Sequence, residues 1–375
     1  MITIKVGDLF ASHAQTLVNT VNCVGIMGKG IALEFKKRYP EMFRDYERRC
    51  AANEVKLGRP YLYKDLVGKW ILNFPTKDHW RSVARLQDIV EGLNYLKEHY
   101  QEWGIRSLAV PPLGCGQGGL EWRIVGPTLY RHLSELDIPV ELYAPHGTPE
   151  QQLTREFLSQ APAVALVGTT TLRGSKINPA WVALVEILSR VTHEPYHWPI
   201  GRTTFQKIAF FATAACLPTG LRFVQGSYGP FAPGLKSVIT TLVNQGLIEE
   251  EKLGQMFRVR PGRTFADARQ LAHTDLNEWN AIIEKVTDLF LRMKTPDAEV
   301  AASVKFVADR LQGERTPRPT ELEVRDAVLS WKMRRKPAFK AHEVEQAARH
   351  LNMLGWVDLA TSQELDSEDE ELSVA

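Results

Sequence analysis

Between residues 114 and 119 the chain reads Gly-Cys-Gly-Gln-Gly-Gly, four glycines in six positions, directly after a short apolar run at 107–110. Glycine loses more conformational freedom on folding than any other residue, so this density is costly unless the backbone must pass close to something. The flanks narrow the choice. The apolar run predicts a short buried strand, and 122–135 predicts a helix, so both ends of the loop are held. A strand-to-helix loop with bare backbone N–H groups is suited to wrapping a diphosphate. The segment runs Pro112, Leu113, Gly114, Cys115, Gly116, Gln117, Gly118, Gly119, Leu120.

Two further segments have the same character. A predicted strand at 16–22 carries Asn19, Thr20 and Asn22 and runs into a turn with Gly25, Gly28, Lys29, Gly30 and Ile31. The glycine spacing is GxxGxG. It is not the GxGxxG of dinucleotide-binding turns, and the GK[ST] ending of a P-loop is missing. Asparagine side chains can both donate to and accept from ribose hydroxyls, which lifts this turn above an ordinary one. The third segment, 73–81, packs Lys77, His79 and Trp80 into one turn after a strand. A partly desolvated lysine beside a sugar can act as an amine nucleophile or a cationic stabiliser. His79 is a candidate acid, base or packing residue. Trp80 is read as core in preference to a stacking platform.

Strands predicted at 2–6, 16–22, 61–63, 69–74, 107–110 and 140–143 alternate with helices at 30–38, 81–100 and 122–135. This alternation predicts an α/β domain with a mixed or parallel sheet between helices. In such sheets ligands bind beyond the carboxyl ends of the strands, where all three loops fall. A helix is expected at 150–160. Residues 161–175, small and Thr-rich, read as linker or a stray strand. From 178 the pattern turns helical, with helices at 180–191, 203–215, 233–245, 275–294 and 298–311 and short strands at 247–249 and 256–259 around Gly254. Helix, helix and hairpin suggest a winged-helix-like arrangement, with a second such unit at 322–359 that ends in a strand at 356–359. The domain boundaries are accordingly 1–155, a linker at 156–177, a helical region at 178–360 and an acidic tail at 361–375, too poor in apolar residues to pack.

A net charge of +2 with 44% hydrophobic residues argues against a protein that binds nucleic acid through a basic face over its whole surface. Residues 332–336, Lys-Met-Arg-Arg-Lys, leave room for a local patch. The start, MITIKVGDLF, lacks the pattern of a signal peptide, and no apolar stretch approaches about eighteen residues, so a cytoplasmic location is expected. The four cysteines, Cys23, Cys50, Cys115 and Cys216, are scattered without a CxxC pair, so no metal site is read and no cofactor is expected. Cys23 and Cys115 read as small loop residues.

Gly7-Asp8-Leu9-Phe10, the 19–32 turn and the 112–120 loop together resemble the pattern of macrodomains. Asn73-Phe74-Pro75-Thr76-Lys77-Asp78-His79-Trp80 is narrower and resembles the branch that holds the DarG-type antitoxins and a related eukaryotic ADP-ribosyl glycohydrolase. The resemblance covers about 1–155. It implies a macrodomain fold that binds ADP-ribose. Asp8 and Leu9 would contact adenine, Asn22 the distal ribose, 25–31 the ribose and phosphates, and 113–119 the diphosphate and distal ribose. Lys77 would be the catalytic lysine, attacking the anomeric carbon in its neutral form with an acidic partner, for which Glu121 is the nearest acid in sequence. The substrate implied is thymidine in single-stranded DNA bearing ADP-ribose, and the partner a DNA-modifying toxin bound through 178–360. The alternative is a non-catalytic ADP-ribose-binding module fused to a DNA-binding winged-helix regulator.

Overall fold

The structure, a computed structural model, describes residues 1–66, 68–160, 177–253, 256–314 and 318–360. Most of the expected linker, the turn at Gly254 and the acidic tail lie outside the described residues. Two compact units emerge, one of Met1–Lys176 with Ser237–Gln245, the other of Ile177–Lys236 with Gly246–Ala375.

The first unit is built on a six-stranded sheet of β1 (Ile2–Val6), β2 (Thr16–Asn22), β3 (Tyr61–Tyr63), β4 (Trp70–Lys77), β5 (Leu108–Val110) and β6 (Val140–Ala144), in the order β1-β6-β5-β2-β4-β3. Every neighbouring pair is parallel except β3–β4. Successive strand residues point to opposite faces, and the apolar residues divide accordingly. Val18, Leu72, Phe74, Val110 and Leu142 meet Ile89, Leu93 and Leu96 of α3 (Leu86–His99) and Val125, Leu129 and Leu133 of α4 (Trp122–Ser134). Leu17, Val21, Ile71, Ala109 and Tyr143 meet Phe35 of α1 (Gly30–Arg38) and Met42, Phe43 and Tyr46 of α2 (Pro40–Ala51). The sheet is therefore buried on both sides, as parallel sheets require.

Sequence reading missed α2, and it placed the start of α3 five residues early. Residues 81–85 form a loop although Val83 is buried. Arg85 at the N-cap of α3 offers no side-chain acceptor. Instead Leu86 N–H donates to Asn244 Oδ1 at 2.7 Å, with Asn244 lying in the Ser237–Gln245 segment of this same unit. The expected helix at 150–160 is a 3-10 turn, Glu150–Leu153, followed by the short helix α5, Arg155–Leu158.

The second unit is mostly helical: α6 (Pro179–His193), α7 (Arg202–Ala214), α9 (Phe265–Leu271), α10 (His273–Glu278), α11 (Asn280–Leu291), α12 (Thr295–Glu314), α13 (Glu321–Trp331) and α14 (Ala341–Met353). The unit also holds two antiparallel hairpins, β7–β8 (Val224–Gly226, Gly229–Phe231) and β9–β10 (Ile248–Leu253, Met256–Pro261), separated in sequence by α8 (Leu235–Asn244), most of which belongs to the first unit. The helix expected at 275–294 is two, divided at Trp279. The strand expected at 356–359 does not form. Trp356 is buried there with its ring edge-on to Phe211 at 5.0 Å, and only Ala360 makes a bridge, to Thr320. Among the described residues no helix is long and apolar enough to cross a membrane.

A buried ionic cluster holds the β7–β8 hairpin. Lys332 Nζ donates to Ser227 O at 2.8 Å and pairs with Glu299, which also takes Arg335. Lys207, 1% exposed, donates to Pro230 O at 3.1 Å. Burial, with help from the neighbouring Lys332 charge, pulls its amine down to about 8. The unfolded chain keeps that proton until the ordinary lysine range of about 10.4, so between these values the unfolded state binds more protons and stability rises with pH. Below about 8 the buried charge costs its full amount. We expect Lys207→Met to gain on the parent by up to roughly 2–3 kcal/mol at pH 7 and to lose most of that advantage by pH 10, in urea unfolding of the second unit. A pH-independent difference between the two proteins would refute this assignment.

Candidate functional site

Five parallel strands end at one edge of the sheet, and the three loops singled out by sequence leave from it. The ladder between β2 and β4 places Asn22 opposite Lys77, the last residue of each strand. From there the loops are tied to one another through backbone groups. Cys23 N–H donates to Asp78 O at 3.2 Å, which joins the first loop to the third. Ala84 N–H donates to Gly118 O at 3.0 Å, which joins the third to the second. Lys77 Nζ donates to the Gln117 carbonyl at 2.6 Å, a second tie between the same two. Asn22, Lys77, Gln117 and Gly118 are therefore brought together although they come from three separate segments.

Each loop is shaped internally as well. Asn22 Nδ2 donates to Ile26 O at 2.6 Å, and its Oδ1 accepts from Val24 N–H at 3.0 Å and from the Tyr46 hydroxyl at 3.0 Å. Asn22 thus sets the course of the turn through Gly25. Burial raises the Tyr46 pKa, so this hydroxyl remains a donor. Gly30 opens α1 with φ +58°, a conformation glycine adopts without strain. Lys29, at the N-cap, supplies no side-chain cap, so the first-turn N–H groups of α1 face the exposed Gly28–Gly30 surface, an arrangement that suits an anion. Ile31 is half-buried behind them. In the second loop Gly116 and Gln117 are exposed at the tip, Pro112, Cys115 and Gly119 are half-buried, and Leu113 and Leu120 anchor both ends in the core. A Cβ on Gly118 would stand 2.3 Å from Gly114 O and 2.8 Å from Ala84 Cβ, so the loop closes only with glycine there.

The remaining candidates are placed as follows. Asp8 caps the short turn Leu9–Ala11 by accepting from Phe10 N–H at 2.9 Å, while Leu9 is buried in the core beneath α1 and α2. Asn19 is fully buried and donates to Asn73 Oδ1 at 2.9 Å, so it clamps β2 to β4 inside the sheet. Thr20 is half-buried opposite Phe74. His79 Nδ1 accepts from Arg81 N–H at 3.2 Å, and its ring stacks on Trp80. Glu121, at the N-cap of α4, is paired with Arg123. Trp80 is not core but 44% exposed. Burial pushes the thiols of Cys23 and Cys115 up to about 12, which leaves both protonated and poor nucleophiles near neutral pH.

Three participants were not singled out from sequence. Tyr46 lies on the missed helix α2, whose Met42, Phe43, Tyr46 and Cys50 have amphipathic spacing that would have revealed it. Ala84 carries no chemical signal. Asn244 donates to Ala84 O at 3.2 Å while its Oδ1 takes Leu86 N–H, and nothing local in the sequence marks it.

Comparison with known proteins bears on the whole chain. Residues 18–129 match the Macro domain family. A DNA ADP-ribosyl glycohydrolase of Mycobacterium tuberculosis is 34% identical over 333 residues, covering 86% of each chain. The protein of the same description from Thermus aquaticus is 32% identical over 339 residues, 88% of this chain and 82% of the relative. A DNA ADP-ribosyl transferase-DNA ADP-ribosyl glycohydrolase fusion protein of Thermosipho africanus is 43% identical over 172 residues, 40% of this chain and 44% of the fusion.

The loop geometry makes a prediction that needs no ligand. Gly118→Ala should lower the unfolding free energy of the first unit by about 1–3 kcal/mol, because backbone and Ala84 must both move. Gly116→Ala, with nothing within 4 Å of the added carbon, should stay within about 0.5 kcal/mol of the parent. Thermal unfolding of the two variants checks the contrast, and equal effects would mean that the Gly118 contact is not what closes the loop.

Proposed function

Because the chain belongs to the DNA ADP-ribosyl glycohydrolases, we propose that it hydrolyses the N-glycosidic bond between ADP-ribose and thymidine in single-stranded DNA, with Lys77 as the catalytic residue, and neutralises the transferase toxin that makes this bond. The observation that carries the catalytic assignment is the 2.6 Å bond from Lys77 Nζ to Gln117 O. Lys77 is 9% exposed, at the end of β4, and its amine is held by the tip of the glycine loop. Such a bond uses one N–H of the amine. In the neutral form the lone pair stays available for attack on a sugar carbon.

The ligand is assigned to the loops in the order the resemblance gives. Asp8 and the backbone of Leu9, whose side chain is buried in the core, are assigned to adenine, the α1 N-terminus and the 113–119 loop to the diphosphate, and Asn22 to the distal ribose. Holding the ADP part fixes the anomeric carbon against Lys77, so that much of the barrier is met by positioning. The amine bonds to that carbon, the glycosidic bond breaks with its electron pair going to the base, and water then releases ADP-ribose from the lysine. His79 fits the acid–base role better than Glu121. Its Nδ1 accepts from Arg81 N–H, so the neutral ring carries its proton on Nε2 and can donate. Glu121 is occupied by Arg123.

We assign toxin binding to 178–360, read as winged-helix-like from α6, α7 and the hairpins. In support, the β7–β8 hairpin exposes Val224, Tyr228 (72%) and Phe231 on a base fixed by Lys207, Lys332 and Glu299. The alternative of a DNA-binding regulator is weakened by the same cluster. Of the basic run 332–336, Lys332 is buried and Arg335 is engaged by Glu299, which leaves Arg334 and Lys336 on the surface.

The test is release of ADP-ribose from a thymidine-modified oligonucleotide. Lys77→Ala should lower kcat at least about a hundredfold while changing ADP-ribose affinity by less than about threefold. Tight ADP-ribose binding by the parent without release would sink the enzyme reading, and equal release by the variant would sink the role of Lys77. For the partner, Tyr228→Ala in the full chain should weaken co-purification with the toxin. Undiminished capture would remove the hairpin from the contact.

A further inference from the structure

The loop that follows Lys77 also carries a planar stack, of which the mechanism uses His79 alone. Trp80, three residues on, is an exposed large aromatic side chain. The His79 imidazole lies stacked beside it, ring centroids 5.4 Å apart and planes within 29° of parallel. The Arg81 guanidinium lies over the indole, 4.5 Å from its centroid. Exposing so much apolar surface next to a lysine presented for chemistry has a cost that a purely structural tryptophan would avoid by burial.

From these three residues we propose that Trp80 is a stacking platform for a nucleobase of the DNA strand adjoining the modified thymidine. The inference rests on the hydrolase reading above. Base–aromatic stacking tolerates any sequence, because every base has a π face, and arginine beside the aromatic adds a cation for the phosphate backbone. The geometry provides both elements in one turn. The base occupies the indole face that the Arg81 guanidinium covers, and the guanidinium turns onto the neighbouring phosphate. Lys77 ends β4, and Trp80 lies on the short loop that follows, whose ends are pinned by the Cys23–Asp78 and Ala84–Gly118 hydrogen bonds, so the platform keeps a fixed relation to the attacking amine. The occupant is a single-stranded nucleotide and not a duplex, since a base inside a duplex has both faces stacked on its neighbours. Trp80 is accordingly a specificity residue for DNA, distinct from the loops that hold ADP-ribose.

The experiment compares two substrates in the full chain: a single-stranded oligonucleotide modified on an internal thymidine, and the modified thymidine nucleoside alone. For Trp80→Ala we expect KM on the oligonucleotide to rise about tenfold, with kcat changed less than about twofold. KM on the nucleoside and ADP-ribose affinity should stay within about twofold of the parent. Trp80→Phe, which keeps a stacking face, should recover most of the loss. An unchanged KM on the oligonucleotide, or an equal loss on both substrates, overturns the platform. Failure of the parent to release ADP-ribose from either substrate would instead overturn the hydrolase reading on which the inference rests.

Discussion

The bond from Lys77 Nζ to the Gln117 carbonyl organises the candidate site of this protein. It joins the end of a central strand to the tip of a glycine loop, and so converts two separate features into one site. Its strength depends on what surrounds it. The carbonyl must be held still, which requires the loop to close, and the loop closes only because Gly118 admits Gly114 O and Ala84 within distances no side chain allows. The lysine must be held still too, which the ladder with Asn22 accomplishes. Glycine density, the feature most costly in folding entropy, is thus what permits a contact of 2.6 Å between strand end and loop tip.

The sheet explains why these residues meet at all. Parallel strands buried on both faces put their carboxyl ends at one edge, and side-chain alternation sends Leu17 and Val18, or Ile71 and Leu72, into opposite cores. Polar residues on such strands have two places to go. Asn19, inside the sheet, donates its amide to Asn73 Oδ1 and ties the strands together. Asn22, three residues later and at the edge, instead shapes the turn by which a ligand would enter. The same residue type serves structure in one position and site geometry in the other, and the strand end marks the change.

This distinction measures what sequence reading could reach. The 22–31 and 112–120 loops were legible because glycine clusters after apolar runs report backbone geometry directly, whereas 73–81, without glycine, stood out by its polar and aromatic residues after a strand. Lys77 was singled out because it shares one turn with His79 and Trp80 after a predicted strand, in a segment that carries the family resemblance. Asn19 was assigned to ribose by residue type alone, whereas its position in the strand interior commits it to Asn73. The start of α3 was misplaced because its cap comes from Asn244, 158 residues away. No local pattern encodes that distance. The strand expected at 356–359 failed for a similar reason: Trp356 has a partner in Phe211, and tertiary packing overrides the local preference.

The second unit repeats the logic with charge in place of glycine. Glu299 pairs with Lys332 and Arg335, while Lys332 bonds the carbonyl of Ser227 and Lys207 that of Pro230. A buried ionic cluster contributes little net stability once desolvation is counted, and replacing it with apolar residues is often neutral or better. Its retention is therefore better explained by what it fixes than by what it stabilises. It fixes the hairpin that carries Tyr228 at its tip, so an aromatic side chain is displayed from a rigid base in place of collapsing onto the nearest apolar surface. A preordered aromatic loses little side-chain entropy when a partner covers it, the condition under which a small surface can carry much of an interface. In both units, then, a buried lysine bonds a backbone carbonyl and so fixes the loop or hairpin that the carbonyl belongs to.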